Sequence, residues 1–250
     1  MPMGFITWGV WAEEDNGSPE TFSQEHVQKH ALLTRTDWNE QKEILISYEW
    51  NLLSRYLDLL EPYLAKTMRD WEQALDQKAE KIDDEGERTD FYEFHSDEYD
   101  EHLRFRGTLM NSFFLASFAL FENQLMRICQ SAQHNSRSPF SVNDLGRYSP
   151  TDRAKKYLLK LGVAFPAETS EWQEITKYRE IRNKIMHEGG FLPVQAQIAS
   201  FTKEKEIVTP FGGSLKLELT RPFCNDALSN MRRLLLDAHR AYVVWIKADK

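Results

Sequence analysis

The sequence predicts an all-α protein, an up-and-down helical bundle that carries a small β-hairpin before its last helix. Three observations favour this fold class. Apolar residues recur at three- and four-residue steps over long stretches, which is the spacing of one helix face. One of these stretches is apolar nearly all round, as at the centre of a bundle. One pair of short β-type runs flanks a Pro/Gly turn, which predicts the hairpin.

The N-terminal part is predicted to be a helical extension. Ser18 and Pro19 have the residue types preferred at a helix start, and a long periodic helix follows. Pro62 is expected to kink or restart this helix. The segment 83–98 is expected to be a charged, turn-rich and solvated connector without regular structure. The apolar positions that line one face of the long helix are Ile44, Tyr48, Leu52, Tyr56 and Leu59.

The central helix is predicted from about Glu98 to Ser131 and is apolar nearly all round between Leu109 and Leu125. Glu122 is an acid inside this apolar run. Two interpretations of it stay open: a position rotated towards solvent, or a carboxylate kept inward to hold a cationic partner.

Two shorter helices follow a loop. Ser149 and Pro150 open the first, which stops at Gly162. Ser170 with Gln173 forms a capping-box pattern at the start of the second. The second helix is predicted to end at Gly189 and Gly190, which allow a left-handed turn. Its buried stripe is predicted to comprise Trp172, Ile175, Tyr178, Ile181 and Ile185.

The hairpin is predicted over about 206–219 and the final helix from Asp226 onward. We expect one domain over residues 1–250, with 1–97 as the N-terminal extension and 98–250 as the core. Two cysteines in 250 residues, without a CxxC pattern, argue against a disulfide framework or a zinc site. The N-terminal apolar run lacks a basic flank and no run reaches bilayer length, so we expect a cytoplasmic protein without a membrane partner.

Charge is distributed unevenly along the chain. Residues 70–101 hold fourteen acidic and three basic residues, whereas residues 147–187 hold nine Lys/Arg against five Asp/Glu. The second stretch therefore provides a modest local field for an anionic ligand. The sequence has no GxxxxGK[ST], GxGxxG, GxSxG or HExxH motif. No motif therefore supports a nucleotide hydrolase, a dinucleotide-dependent redox enzyme, a serine hydrolase or a zinc protease.

The basic stretch ends in "YREIRNKIMHEGG", residues 178–190. On a helix Asn183 and His187 share a face, and Arg179 and Arg182 share the neighbouring one. His187 is the group that titrates near neutral pH, and Arg182 offers a planar fork of donors suited to a phosphate. A base beside a phosphate clamp can cleave RNA without a metal, because the substrate's own 2′-hydroxyl is the nucleophile.

A simpler interpretation is that this cluster only stabilises the helix end, since basic residues there interact favourably with the helix dipole. An arginine followed by a histidine at similar spacing also occurs elsewhere in the chain. These pairs are Arg88 with His95, Arg127 with His134, and Arg232 or Arg233 with His239.

The context of the cluster is more specific than its spacing. Arg182 is followed by a polar residue and then by His187, at a helix end stopped by glycines, and a central helix bearing "FALFENQL" precedes it. This combination resembles the HEPN superfamily (higher eukaryotes and prokaryotes nucleotide-binding domains) over about residues 98–247. Members are helical bundles with such a motif near the end of the penultimate main helix, some with a hairpin after it.

The resemblance implies roles for four residues. His187 would transfer the proton, and Arg182 would clamp the phosphate in the transition state. Asn183 would orient the histidine or the substrate, and Glu122 would hold Arg182 or position His187. The two basic neighbours that match no motif position, and are candidates only for phosphate contacts, are Arg179 and Lys184.

The resemblance also implies a function: a metal-independent endoribonuclease without cofactor, with RNA as substrate and a composite active site in a homodimer. Its biological setting would be a toxin or phage-defence system, with an antitoxin or other regulatory protein as partner. One alternative is a non-catalytic HEPN-like module that binds RNA, nucleotide or a protein partner. The other is a plain helical interaction protein.

Overall fold

The computed structural model describes the backbone of residues 35–248 and the side chains of residues 42–248. Contacts divide the chain into two units, Met1–Gln41 and Lys42–Lys250. The helix start predicted at Ser18 and Pro19 lies outside the described residues. Of the first unit, residues 35–41 are described, and they form the first turns of a helix that continues into the second unit.

The described chain is mostly helical, with a small antiparallel sheet before the last helix, which confirms the all-α fold class. None of its helices is long and apolar enough to cross a membrane. The helices are α1 (Arg35–Ala79), α2 (Glu85–Phe94), α3 (Ser96–Ser136), α4 (Pro150–Lys160), α5 (Ser170–Glu188), α6 (Ala199–Glu204) and α7 (Arg221–Ala248). A 3₁₀ turn at Val142–Leu145 and the strands β1 (Phe191–Pro193), β2 (Val208–Phe211) and β3 (Ser214–Leu217) complete the elements.

The central position predicted for α3 is confirmed. Its phenylalanines contact one another and residues of α5 and α7, with Phe114 lying 6.2 Å from Tyr178 and 5.6 Å from Phe223 between ring centroids. Burying each such ring removes a large apolar area from water. The apolar side chains of α3 that are almost fully buried are Met110, Phe113, Phe114, Phe118, Phe121, Leu125, Cys129 and Ala132.

One face of α1 belongs to the same core. Trp50 and Leu57 are 1% and 0% exposed, and the Trp50 indole Nε1 donates to the Gln124 Oε1 of α3 over 2.7 Å. Residues 42–97 of the predicted extension therefore belong to the same compact unit as the predicted core. The helix also continues through Pro62, so it does not restart there, while the alternative of a kink at Pro62 stays a prediction.

The opposite face of α1 is exposed. The periodic residues do line one side of the helix, as predicted, but this side points away from the core. We call this set the α1 stripe; its members and exposures are Ile44 68%, Leu45 56%, Tyr48 63%, Leu52 56%, Tyr56 50%, Leu59 71% and Tyr63 66%.

Charged side chains also join α1 to its neighbours. Glu61 is 8% exposed and accepts from Arg106 of α3 over 2.9 Å and from Arg221 of α7 over 2.7 Å. Arg221 is also paired with Asp58 of α1. Because the buried carboxylate meets two guanidiniums, its desolvation is compensated by charge-assisted hydrogen bonds.

The segment expected to be a connector contains α2. The Asp84 side chain accepts from the Glu87 backbone N–H over 2.9 Å, and acidic residues occupy the first turn, which favours a helix start. No residue of α2 is buried, so the expectation of a solvated segment holds while its predicted lack of regular structure is wrong.

Helix α5, which carries the motif, and helix α4 before it begin and end close to the predicted positions. Ser149 caps α4, as predicted, and its side chain accepts from the Asp152 N–H over 3.2 Å. The cap of α5 is Thr169, whose hydroxyl accepts from the Trp172 N–H over 3.3 Å, and not Ser170, which lies in the first helical turn. The predicted stripe of α5 is buried except at Ile185, which is partly buried.

The predicted hairpin is present and belongs to a three-stranded sheet. Strands β2 and β3 pair antiparallel through Gly212 and Gly213, whose φ angles of 51° and 80° suit the turn. Strand β1 pairs with the other edge of β3, which gives the order β1-β3-β2. Its three residues are too few for a periodic signal. The last helix begins at Arg221, five residues before the predicted Asp226.

Truncating Leu57 to alanine tests whether α1 is part of the core. We expect Leu57→Ala to lower the free energy of unfolding by about 2–5 kcal/mol, because it leaves a cavity under a fully buried side chain. The matched control is Leu159→Ala on α4, where leucine is 45% exposed and the loss should stay within about 0.5 kcal/mol. Urea denaturation measures both, and equal losses would show that α1 is only loosely attached.

Candidate functional site

The motif occupies the last turns of α5, where the helix meets the sheet. Gly189 adopts a left-handed φ of 62°, and the N–H groups of Gly189 and Gly190 both donate to the Lys184 carbonyl. The Gly190 carbonyl then accepts from the Leu217 N–H of β3 over 2.8 Å. The helix end is therefore fixed to the sheet, as expected for a Schellman-type stop.

We call Arg182, Asn183 and His187 the α5 cluster. Arg182 is half-buried and its Nη1 donates to the Asn183 Oδ1 over 3.0 Å, while His187 is exposed in the last turn. Within the described residues the His187 ring makes no hydrogen bond. His187 lies five positions after Arg182, so the two residues stand about 7.5 Å apart along the helix axis. The cluster is an open surface on which the imidazole and most guanidinium donors are available to a ligand.

Glu122 of α3 is half-buried and lies in the field of three guanidiniums. Burial raises the pKa of its carboxyl, and Arg182, Arg179 and Arg153 each act in the opposite direction without cancelling that effect. The side chain has no hydrogen bond or ion pair with any described residue. Of the two interpretations of Glu122, this geometry favours the inward carboxylate with cationic neighbours over the solvent-facing one.

Arg153 of α4 is the third arginine near Glu122, and the sequence alone did not predict it. Its Nε is buried and has no hydrogen-bond partner among the described residues, and its charge acts on Glu122. The excess of basic residues over 147–187 included Arg153 but did not single it out. Its place beside Glu122 depends on how α4 packs against α3, which no local motif reveals.

The two candidate phosphate contacts are engaged inside the chain. Arg179 Nη1 donates to Asp152 Oδ2 over 2.6 Å and to Ser149 Oγ over 2.8 Å, which ties α5 to the start of α4. Lys184 Nζ lies 2.7 Å from both carboxylate oxygens of Glu188. A phosphate would have to compete with these carboxylates. A phosphate role for Arg179 and Lys184 stays a prediction.

The other arginine and histidine pairs differ in their environment. Arg88 donates to the Ile82 carbonyl over 2.6 Å, and His239 is only 2% exposed, with a pKa lowered by burial. Arg127 and His134 of α3 are both exposed and make no hydrogen bond to a described residue. Arg127 and His134 are therefore the pair most similar to Arg182 and His187 in availability.

Exposed apolar side chains occur in the last turn of α5 and in the sheet that follows it. Met186 is 52% exposed and Phe211 is 57% exposed, and the rings of Phe191 and Phe211 lie 5.3 Å apart between centroids. We call Met186, Phe191 and Phe211 the sheet-edge patch. An apolar patch rimmed by polar residues is typical of a contact surface.

A cleft of about 540 Å³ lies elsewhere, between α1, α3 and α7. Its lining includes Glu49, Gln124, Arg127, His134 and His239, and no member of the α5 cluster. The cluster and this cleft are thus separate features of the surface. The described residues contain no group of three or more His, Cys, Asp or Glu side chains placed to hold a metal ion.

Comparisons of the chain with protein-family models, with curated protein sequences and with solved structures find no match. The function is therefore inferred from the cluster and its surroundings.

The environment of Glu122 makes stability depend on pH. Folding raises the pKa of this carboxyl above its ordinary 4.5, so ionisation destabilises the folded wild-type protein as pH rises past that value. Glutamine cannot ionise. We expect Glu122→Gln to become more stable relative to wild type between about pH 4 and pH 7, as measured by urea denaturation at both values.

The matched control for this experiment is Glu171→Gln at the start of α5. A hydrogen bond from its own backbone, and then one from Arg233, lower the pKa of Glu171. Its ionised form stabilises the fold, so Glu171→Gln should lose stability relative to wild type over the same rise in pH. The same sign for both variants would contradict the assignment of a desolvated carboxyl at Glu122.

Proposed function

We propose that the protein is a metal-independent endoribonuclease that cleaves RNA by attack of the substrate's 2′-hydroxyl. The observation that carries this proposal is the arrangement at the end of α5, where an exposed His187 follows a half-buried Arg182 with free donors beside the inward carboxylate of Glu122. The resemblance of the motif to HEPN ribonucleases supports the same chemistry.

In this mechanism His187 takes the proton of the 2′-hydroxyl, and the 2′-oxygen forms a bond to the adjacent phosphorus. The bond from phosphorus to the 5′-oxygen breaks, and that oxygen takes up a proton. The products are a 2′,3′-cyclic phosphate and a 5′-hydroxyl. Charge that develops on the phosphate oxygens is stabilised by the Arg182 guanidinium, whose fork has donors beyond the one bound to Asn183.

Glu122 and Asn183 act as positioning residues. Asn183 accepts from Arg182 and so orients its guanidinium plane. Glu122 balances part of the positive charge of Arg182 and Arg153, which lets basic side chains gather at one place before a phosphate arrives. Arg179 and Lys184 contribute to phosphate binding only if the substrate displaces Asp152 or Glu188 from them.

The proposal includes a homodimer with a composite site. A two-fold contact through the sheet-edge patch would bury apolar surface next to His187 and bring two α5 clusters to one RNA backbone. A cytoplasmic toxin or phage-defence component held by an antitoxin or other regulatory protein is the setting that we propose, on the resemblance alone.

A non-catalytic module that binds RNA, nucleotide or a protein partner is the second candidate. The observation that favours it is the openness of the α5 cluster, which lies outside the cleft of about 540 Å³. Cleavage and binding assays separate the two candidates, because a binding module retains RNA without cutting it.

Removing the cluster should abolish cleavage. We expect Arg182→Ala/His187→Ala to lower the rate of cleavage of a mixed RNA pool by roughly 10²-fold or more, because the base and the phosphate clamp are both lost. The matched control is Arg127→Ala/His134→Ala on α3, an exposed pair that makes no hydrogen bond to a described residue, which should cleave like wild type. Circular dichroism verifies that both variants are folded.

The control also locates the activity. Loss of cleavage in Arg127→Ala/His134→Ala, with activity retained in Arg182→Ala/His187→Ala, would place the chemistry in the cleft and contradict our proposal. RNA binding without cleavage by the wild type, weakened in Arg182→Ala/His187→Ala, would support the binding module instead.

Cleavage should persist in EDTA, since the proposed mechanism uses the 2′-hydroxyl and protein side chains. We expect the fragments to carry 2′,3′-cyclic or 3′-phosphate ends and 5′-hydroxyl ends, which end-labelling with and without phosphatase identifies. A substrate with 2′-deoxy residues should resist cleavage. Cleavage of that substrate, or 5′-phosphate ends, would exclude attack by the 2′-hydroxyl.

A further inference from the structure

Helix α1 is apolar on two opposite faces, and the core accounts for only one of them. Trp50 and Leu57 are 1% and 0% exposed on the inner face, whereas Leu52 and Leu59 are 56% and 71% exposed on the outer one. A surface helix needs a single apolar side to pack against its domain. Among the described residues of one chain, nothing covers the α1 stripe.

The α1 stripe is large enough for a stable contact. Seven large side chains are each half or more exposed along a helix segment of twenty residues, 44–63, which spans about 30 Å. With about 200 Å² for each large side chain, the exposed area comes to roughly 800 Å², which is what each partner contributes to a standard protein interface. Monomers rarely leave so much contiguous apolar surface uncovered.

The order of residues in the α1 stripe indicates what covers it. Leu45 and Leu59 stand seven residues on either side of Leu52, and Tyr48 and Tyr56 stand four residues on either side of it. For these five of the seven members, the pattern is the same when read in either direction. A two-fold interface requires that residue i contacts residue j of the second copy while j contacts i. An antiparallel pair of identical helices centred on Leu52 meets this condition.

We infer that α1 pairs antiparallel with α1 of a second copy of the chain. In this pair Leu52 meets Leu52, Tyr48 meets Tyr56, and Leu45 meets Leu59. Leucine and tyrosine at three- and four-residue spacing form the ridges that pack two helices side by side. The interface buries the outer face of α1 and leaves its inner face in the core.

This contact is distinct from the proposed contact at the α5 cluster. Among the described residues no hydrogen bond or ion pair joins α1 to α5; α1 is instead linked to α3 through Trp50 and to α7 through Glu61. A chain with two separate two-fold contacts forms an assembly larger than a dimer. The α1 pairing does not rest on the proposed nuclease activity. Its test measures the assembly of the protein and not the cleavage of RNA.

Cysteine cross-linking tests the pairing and its direction. The native Cys129 and Cys224 are buried with pKa values raised to about 12, so they contribute little background. Under a mild oxidant we expect Leu52→Cys to form a covalent dimer, since its copies meet on the two-fold axis. A mixture of Leu45→Cys and Leu59→Cys should cross-link, and either alone should not. Cross-linking of Leu59→Cys alone, or no cross-link in any sample, would overturn the antiparallel pair.

Sedimentation provides the second readout. We expect Leu52→Glu to lower the mass of the wild-type assembly, because two carboxylates would meet on the axis, while the matched Leu159→Glu on α4 leaves it unchanged. If the α5 contact also exists, the mass falls from a larger assembly to a dimer; if only α1 pairs, it falls from dimer to monomer. A monomeric wild type, or no change in mass with Leu52→Glu, would overturn the inference.

Discussion

The burial of the phenylalanines of α3 is the constraint on which the other helices depend. Phe113, Phe114, Phe118 and Phe121 leave at most 1% of their surface exposed, and together they point to more than one side of the helix. Such a helix is stable only when neighbours cover it all round, so α1, α5 and α7 are held in place by the same apolar surface. Glu122 follows Phe121 directly, which is why an acid stands at the edge of this core.

Helix α5 is held by polar contacts as well as by its apolar stripe. Glu174 accepts from the Tyr178 hydroxyl, from Asn230 of α7 and from Lys205 beyond α6, and Arg179 binds the start of α4. Partly buried networks of this kind fix orientation because each group satisfies another. These contacts fix the body of α5 on which the α5 cluster stands, as an active site or a binding site requires.

Much of this architecture could be predicted from the sequence, and the gaps have physical reasons. Periodicity revealed α3 and α5, and glycines revealed where α5 ends. For α1, periodicity found the outer face but could not tell that the inner face is the one in the core. Strand β1 is too short to show a pattern. Helix α2 looked like a loop because it is rich in charged residues and buries none of its side chains.

For the candidate site, local sequence could point to α5 but not to its surroundings. The motif and the resemblance singled out Arg182 and His187 on one helix. The inward position of Glu122, the proximity of Arg153 and the engagement of Arg179 by Asp152 all depend on contacts between helices far apart in sequence. These contacts are tertiary, so composition and spacing do not contain them.

The glycines that end α5 constrain the number of residues between Arg182 and the end of the helix. Each helical residue turns the next by about 100° and advances it by about 1.5 Å, so one inserted or deleted residue between Arg182 and Gly189 would point His187 in another direction. The stop cannot shift to compensate, because Gly190 is hydrogen-bonded to β3. The number of residues between Arg182 and Gly189 is therefore fixed by the direction in which His187 must point.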